Sequence, residues 1–401
     1  MRETMKSLVG KRCSVAVARC WIGLSILLFI EHPTVNGALI SGWKKHVVHR
    51  GVRTVTAVAA DFTGDGMTDV ISDGGGKTRL FVGPKWTESV IYDHPETKHH
   101  SHSEFFDVDG DGDVDYIGAR YKPGLIIWLE NPGELGTPWK SRIVDDQVNG
   151  IHGLIKGDVD GDGRMDLLAN SAQPDSAYPE SLVWYSTPNL QNLDKPWDLF
   201  VFAVQDAPGL THYLGVGDID GDGRLDAATG AKGGPQATST GEWFAWWKAD
   251  ATSKGRWEKE LVSCMEPGAT NIHPVDVNGD GVTDLLASRG HGQGVLWFEG
   301  PNWSRREMID ADIKEPHCLA AVDLDQDGDI DAATCAFGDK IVVWYENDGK
   351  GVFQRHVIGE GQEAYDIRAT DMDQDGDLDL LIAGRDSNNV VWYENPLKAP
   401  K

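Results

Sequence analysis

The sequence predicts an all-β fold, a seven-bladed β-propeller of four-stranded blades, and three periodic signals carry that expectation. An acidic nonapeptide starts at Asp61, Asp107, Asp158, Asp218, Asp276, Asp323 and Asp371, with spacings of 46, 51, 60, 58, 47 and 48 residues. An aromatic residue opens a segment 18 to 21 residues before each start, at Trp43, Trp86, Trp139, Trp197, Trp257, Trp303 and Phe353. A second aromatic segment follows 20 to 28 residues after each start, centred on Phe81, Trp128, Trp184, Trp246, Trp297, Trp344 and Trp392.

The elements of one unit follow in order. After Trp43 the run Lys-Lys-His-Val-Val alternates in polarity, which is the pattern of a half-buried edge strand, here named D. Short apolar segments enter and leave each acidic loop, as in Leu154 to Gly157 and Met165 to Ala169, and give strands A and B. The second aromatic segment is strand C. The chain opens on a D strand at Trp43 and finishes on a C strand at Val391 to Glu394. The N-terminal strand is therefore expected to complete the last blade and close the ring, leaving no exposed edge. A solenoid would need capped ends instead, and the sequence shows none.

Within the nonapeptide, aspartates at positions 1, 3 and 5, a glycine that turns the backbone, and an aspartate at position 9 make an oxygen cage for a hard cation, and calcium fits it. The donor sets are Asp61, Thr63, Asp65 and Asp69; Asp107, Asp109, Asp111 and Asp115; Asp158, Asp160, Asp162 and Asp166; and Asp218, Asp220, Asp222 and Asp226. They continue with Asp276, Asn278, Asp280 and Asp284; Asp323, Asp325, Asp327 and Asp331; and Asp371, Asp373, Asp375 and Asp379. Up to seven structural ions are expected, with weaker sites where Thr63 and Asn278 replace an aspartate. An EF-hand is excluded, since it needs glutamate at position 12, where Ser72, Gly118 and Ala169 stand in the first three loops. The runs Gly157-Asp-Val-Asp-Gly-Asp-Gly-Arg-Met-Asp166 and Gly217-Asp-Ile-Asp-Gly-Asp-Gly-Arg-Leu-Asp226 resemble FG-GAP (VCBS, integrin-α-like) repeats. That resemblance implies the propeller and says little about function.

Net charge is −26, but 29 of the 63 acidic residues lie in the nonapeptides, where bound cations would screen them. A nucleic-acid partner is excluded, because no basic run beyond the N-terminus could neutralise a phosphate backbone. Residues 1–37 read as a signal peptide, or as an anchor if uncleaved: Arg2, Lys6, Lys11, Arg12 and Arg19 precede the apolar run Trp21 to Ile30, with small residues at Gly37 and Ala38. The expectation is an exported protein, periplasmic, cell-surface or secreted, with a propeller over 38–397 and a tail over 398–401. Beyond the signal segment no membrane span is expected. Cys264, Cys318 and Cys335 remain after cleavage, too odd a number for a disulfide framework. Cys318 and Cys335 face each other across strands A and B, as a disulfide, as buried thiols, or as part of a metal site with His317.

The acidic loops join A to B on one rim, so the D-to-A and B-to-C connections occupy the other. Six residues before a first aspartate, where strand A begins, stand His152, His212 and His317, with Tyr365 in the seventh blade and with His102 and His273 displaced from that register. Just after strand B come Arg120, Lys232, Arg289, His291 and Arg385. Two classes of function fit such a rim. One is β-elimination on a carbohydrate, as by a polysaccharide lyase or sugar dehydratase, with His152, His212, His317 and Tyr365 as base and acid and the remaining residues binding an anionic sugar. The other is a non-catalytic module that binds a glycan or a protein there. The histidines are also able to take a transition metal. Regular spacing assigns the tryptophans to blade packing.

Overall fold

The computed structural model describes residues 42–93, 100–234, 237 and 241–397. The expected signal segment, the tail, and parts of the stretches 93–104 and 230–242 lie outside the described residues. Twenty-eight strands form seven four-stranded antiparallel sheets, and no helix occurs among the described residues. No helix there is long and apolar enough to cross a membrane.

Strand A runs over Ala57–Ala60, His102–Phe106, Leu154–Gly157, Thr211–Gly217, Asn271–Val275, Pro316–Val322 and Asp366–Thr370 in blades 1 to 7. Each B strand starts on the closing aspartate of a nonapeptide, and that aspartate faces the last residue of strand A, as in Gly157 opposite Asp166 and Val322 opposite Asp331. The nonapeptide is thus a hairpin loop. In six blades the order from the first strand outward is A, B, C, D; in the seventh, Lys44–Arg50 pairs with Asn389–Glu394 as the outermost strand. Every C–D ladder carries a register shift, which bends the outer strand and blunts its free edge.

Strand B is buried on both faces, which explains its unbroken apolar runs. Neighbouring residues serve opposite interfaces: Leu167 packs with Trp128 and Ile117 of blade 2, whereas Leu168 packs with Trp247 and Leu214 of blade 4. The strand C tryptophans fill these interfaces, with Trp128, Trp184, Trp247 and Trp297 fully buried.

The closing aspartate acts first as a strap. Asp115 accepts the amide of Val108 at 3.0 Å with one oxygen and that of Asn131 at 2.7 Å with the other, tying loop to strand C. The same pair of bonds recurs at Asp166, Asp226, Asp284, Asp331 and Asp379. Asn131 then joins blades, its Nδ2 donating to Phe62 O of blade 1 at 2.8 Å and to Val114 O at 3.0 Å. Asn347 and Asn395 repeat this staple on Val277 O and Leu324 O. Cys318 and Cys335 are register partners and buried free thiols, with no disulfide between them.

Candidate functional site

The starts of the inner strands bring the predicted histidines together. His152 stacks on His212 with ring centroids 4.2 Å apart, and His212 meets His291 at 4.7 Å. His291 meets His317 at 5.0 Å, and His317 stacks on Tyr365 at 3.6 Å. His102 reaches the group from its own strand, its Nε2 lying 3.3 Å from His152 Nδ1. Five imidazoles and a phenol from six blades thus form one continuous cluster.

Local chemistry fixes each ring. Asn170, fully buried within strand B of blade 3, accepts the amides of His152 at 2.7 Å and Gly153 at 3.0 Å and donates to His212 O at 2.6 Å. One amide therefore sets the backbone of two histidines. Gly290 lets the B-to-C loop carrying His291 lie against blade 6, because a Cβ there would come within 2.6 Å of His317 Cα. His212 Nδ1 is 3.1 Å from Leu210 O, and His317 Nδ1 is 3.2 Å from Tyr365 O. Tyr213, which the sequence reading passed over, donates its hydroxyl to Tyr365 O at 2.8 Å and lies 3.3 Å from His317 Nδ1.

Burial dominates the electrostatics. It pushes His102 and His291 down to about 4, with Lys232 and Arg385 pushing His291 the same way. His152, His212 and His317 fall well below the usual histidine range, first through burial and then through neighbouring histidines of the cluster. All five rings are neutral at physiological pH and have lone pairs to offer. Burial raises the Tyr365 phenol, so it keeps its proton. Lys232 bears electrostatically on His152, His212 and His291, and the Arg385 guanidinium lies over the Tyr365 ring at 4.2 Å.

Three predicted residues stand apart from this cluster. His273 sits farther along the channel with Nε2 2.7 Å from Leu319 O. Arg289 is drawn to Glu266 at 3.7 Å, and the main charges acting on Arg120 are Tyr92 and Asp73 of blade 1. Below the histidines a cavity of about 210 Å³ is lined by His102, Tyr213, Asn271, Cys318, Asp366 and Arg368 among others. Arg368 crosses this channel to Glu104 at 3.3 Å and Ser103 O at 2.9 Å, and pairs with Asp366 at 3.4 Å. A cation inside an inner strand was the readable sign of this group.

On the opposite rim, the loops of blades 2, 3, 4 and 6 each bring three carboxylates, from positions 1, 3 and 9, within 4.8 Å of one another. Buried carboxylate oxygens of Asp158, Asp160, Asp323, Asp371 and Asp375 have no hydrogen-bond partner, which fits a hard cation. The closing aspartates keep further lone pairs for it. In blade 4 Lys248 and Arg224 already hold Asp222, and Lys248 also holds Asp220.

A family model for the FG-GAP-like repeat matches residues 107–169, 218–287 and 323–382, and the chain carries these repeats. No curated protein sequence matches the chain. Among solved structures, an Agrocybe aegerita lectin that recognises non-reducing terminal N-acetylglucosamine is 18% identical, with a TM-score of 0.52 over 87% of each chain. BBS1N, solved in complex with ARL6DN, is 9% identical with a TM-score of 0.60 over 89% of this chain and 98% of that one. Streptogramin B lyase is 11% identical with a TM-score of 0.55 over 88% and 98%. At such identities the likeness is one of fold.

Proposed function

We propose that this propeller of FG-GAP-like repeats is an exported, calcium-stabilised protein that binds a carbohydrate at the histidine rim of its axial channel and acts on it by β-elimination. The observation that carries the reading is the contact of five buried or partly buried, neutral imidazoles with a protonated phenol, beside Lys232 and Arg385. β-Elimination removes a proton α to a carboxylate or ketone, so it needs a neutral base, an acid for the leaving oxygen and a cation for the developing enolate. His152, backed by His102, is the base; Tyr365 is the acid; Lys232 and Arg385 hold the anion. Burial makes the imidazoles weak bases, and an anionic sugar entering the site raises their proton affinity as the reaction requires. A uronate is therefore the favoured substrate class.

The acidic loops would hold calcium through the aspartates named above and stiffen the rim away from the site. The basic and apolar N-terminal segment supports export. A lyase and a sugar-binding lectin both occur among the fold neighbours, and the lectin favours one rival reading, a glycan-binding module without turnover. Incubation of the purified chain with uronic-acid polysaccharides and keto-sugars decides between them. The ultraviolet absorbance of an unsaturated product is expected with the wild type and is lost in His152→Ala. Saturable glycan binding with no product from any of these sugars would leave the module and remove the enzyme.

A further inference from the structure

We propose that the rim is also a transition-metal centre, with zinc held by His212, His291 and His317 and a fourth position left open. One ring nitrogen from each of the three lies within 4.8 Å of the others. Their tautomers are set from outside the triangle. Leu210 O and Tyr365 O are carbonyls and only accept, so the Nδ1 atoms facing them at 3.1 and 3.2 Å carry the protons. That leaves the Nε2 lone pairs of His212 and His317 turned inward, the arrangement by which outer carbonyls orient histidine ligands.

One nitrogen of the triangle is unsatisfied without a metal. His317 is 1% exposed and its Nε2 is buried with no hydrogen-bond partner. Leaving such a group bare carries a desolvation cost that a bond to a metal removes. His212 Nε2 and His291 Nε2 lie 2.9 Å apart, joined by one hydrogen bond whose proton sits on His291. A metal at bond lengths of about 2.0–2.1 Å takes the place of that proton, which passes to His291 Nδ1, and sets the nitrogens about 3.3 Å apart. The 2.9 Å edge opens by a few tenths of an ångström, and edges of up to 4.8 Å draw in.

Donor type gives the identity of the ion. Three imidazole nitrogens select zinc or a neighbouring transition metal over calcium, whereas the oxygen loops of the opposite rim do the reverse. Three protein ligands with an open position is the pattern of a catalytic zinc. Lys232 and Arg385 both act on His291, and with a dication beside them the fourth ligand is an anion, hydroxide or a substrate carboxylate.

The test reads metal and not turnover, so it is independent of the carbohydrate proposal. The metal-stripped chain, kept in excess calcium to occupy the acidic loops, is titrated with zinc by calorimetry and with cobalt by visible absorption. One zinc per chain is expected, together with the absorption bands of four-coordinate cobalt. His291→Ala and His212→Gln, each checked for an unchanged thermal unfolding profile, lose at least about 100-fold in affinity. His356→Asn, on an outer strand, binds as the wild type does. Absence of zinc binding, or wild-type affinity in both folded site variants, overturns the proposal. Zinc binding without turnover on any sugar would sink only the elimination reading.

Discussion

Removal of calcium is expected to cost the fold several kcal/mol, and the acidic loops allow the size to be worked out. Blades 2, 3, 4 and 6 each converge three carboxylates within 4.8 Å. In blade 4, Lys248 and Arg224 must be displaced first, and in blade 3 Lys254 lies 3.4 Å from Asp160, so the loops of blades 2 and 6 remain unencumbered for the sum. Extracellular calcium modules bind with Kd on the order of 10⁻⁴–10⁻³ M. At about 10 mM calcium each such site adds about 1.4–2.7 kcal/mol by mass action, or roughly 3–5 kcal/mol for two. Urea unfolding followed by tryptophan fluorescence, in calcium and in chelator, measures the difference, and the chain's 15 tryptophans supply the signal. The Asp323→Asn, Asp325→Asn double variant sharpens the test. In calcium it loses one site's share of stability; in chelator it is neutral or stabilising, because the like charges that crowd the empty loop are gone. A chelation effect below about 1 kcal/mol, or equal destabilisation by the double variant in both buffers, refutes the calcium assignment.

Further expectations follow from the same contacts. Asn347→Ala removes the Nδ2 bonds to Val277 O at 2.8 Å and Ile330 O at 3.0 Å and leaves two buried carbonyls bare, so urea unfolding should show a loss of about 2–4 kcal/mol. His102 is held at about 4 by burial against 6.5 when unfolded, so only the unfolded chain takes up that proton between these values. Its contribution is complete above pH 6.5 and is lost as pH falls towards 4, by about 3 kcal/mol in all, and His102→Gln should flatten that part of the stability profile. Burial pushes the Cys318 thiol up to about 12 and Cys335 well above its ordinary range. Mass spectrometry after iodoacetamide treatment should find both unmodified in the folded chain and alkylated once it unfolds.

The blade count, the strand order and the N-terminal strand of the last blade were legible because they are linear information: spacings along the chain repeat whatever the side chains touch. Partner choice was not. Lys232, Arg289 and Arg385 occupy one place after strand B, yet Glu266 captures Arg289 from a different connection, and nothing in the spacing marks that. The inter-blade staple was readable and unused, since Glu-Asn follows the strand C aromatics at Asn131, Asn347 and Asn395.

The displacement of His102 and His273 from the register of the other histidines carried more information than it first suggests. A strand turns alternate residues to one side, so offsets of the same parity share a face. Measured back from each first aspartate, His152, His212, His317 and Tyr365 stand at six, and these four belong to the rim cluster. His102, Tyr213, Asn271, Cys318 and Asp366 stand at five, while Glu104, His273 and Arg368 stand at three, and all of these line the cavity beneath. The odd offsets therefore describe channel layers, one below the other, and not a blurred copy of the rim. His102, in the upper layer, reaches His152 with its Nε2 at 3.3 Å; His273, one layer deeper, is out of range and bonds Leu319 O instead. The same parity puts Arg368 and Glu104 in one layer, where they meet across the channel at 3.3 Å. A ligand entering past the imidazoles therefore meets a compensated ion pair at the bottom, so recognition of an anion falls to Lys232 and Arg385 at the rim.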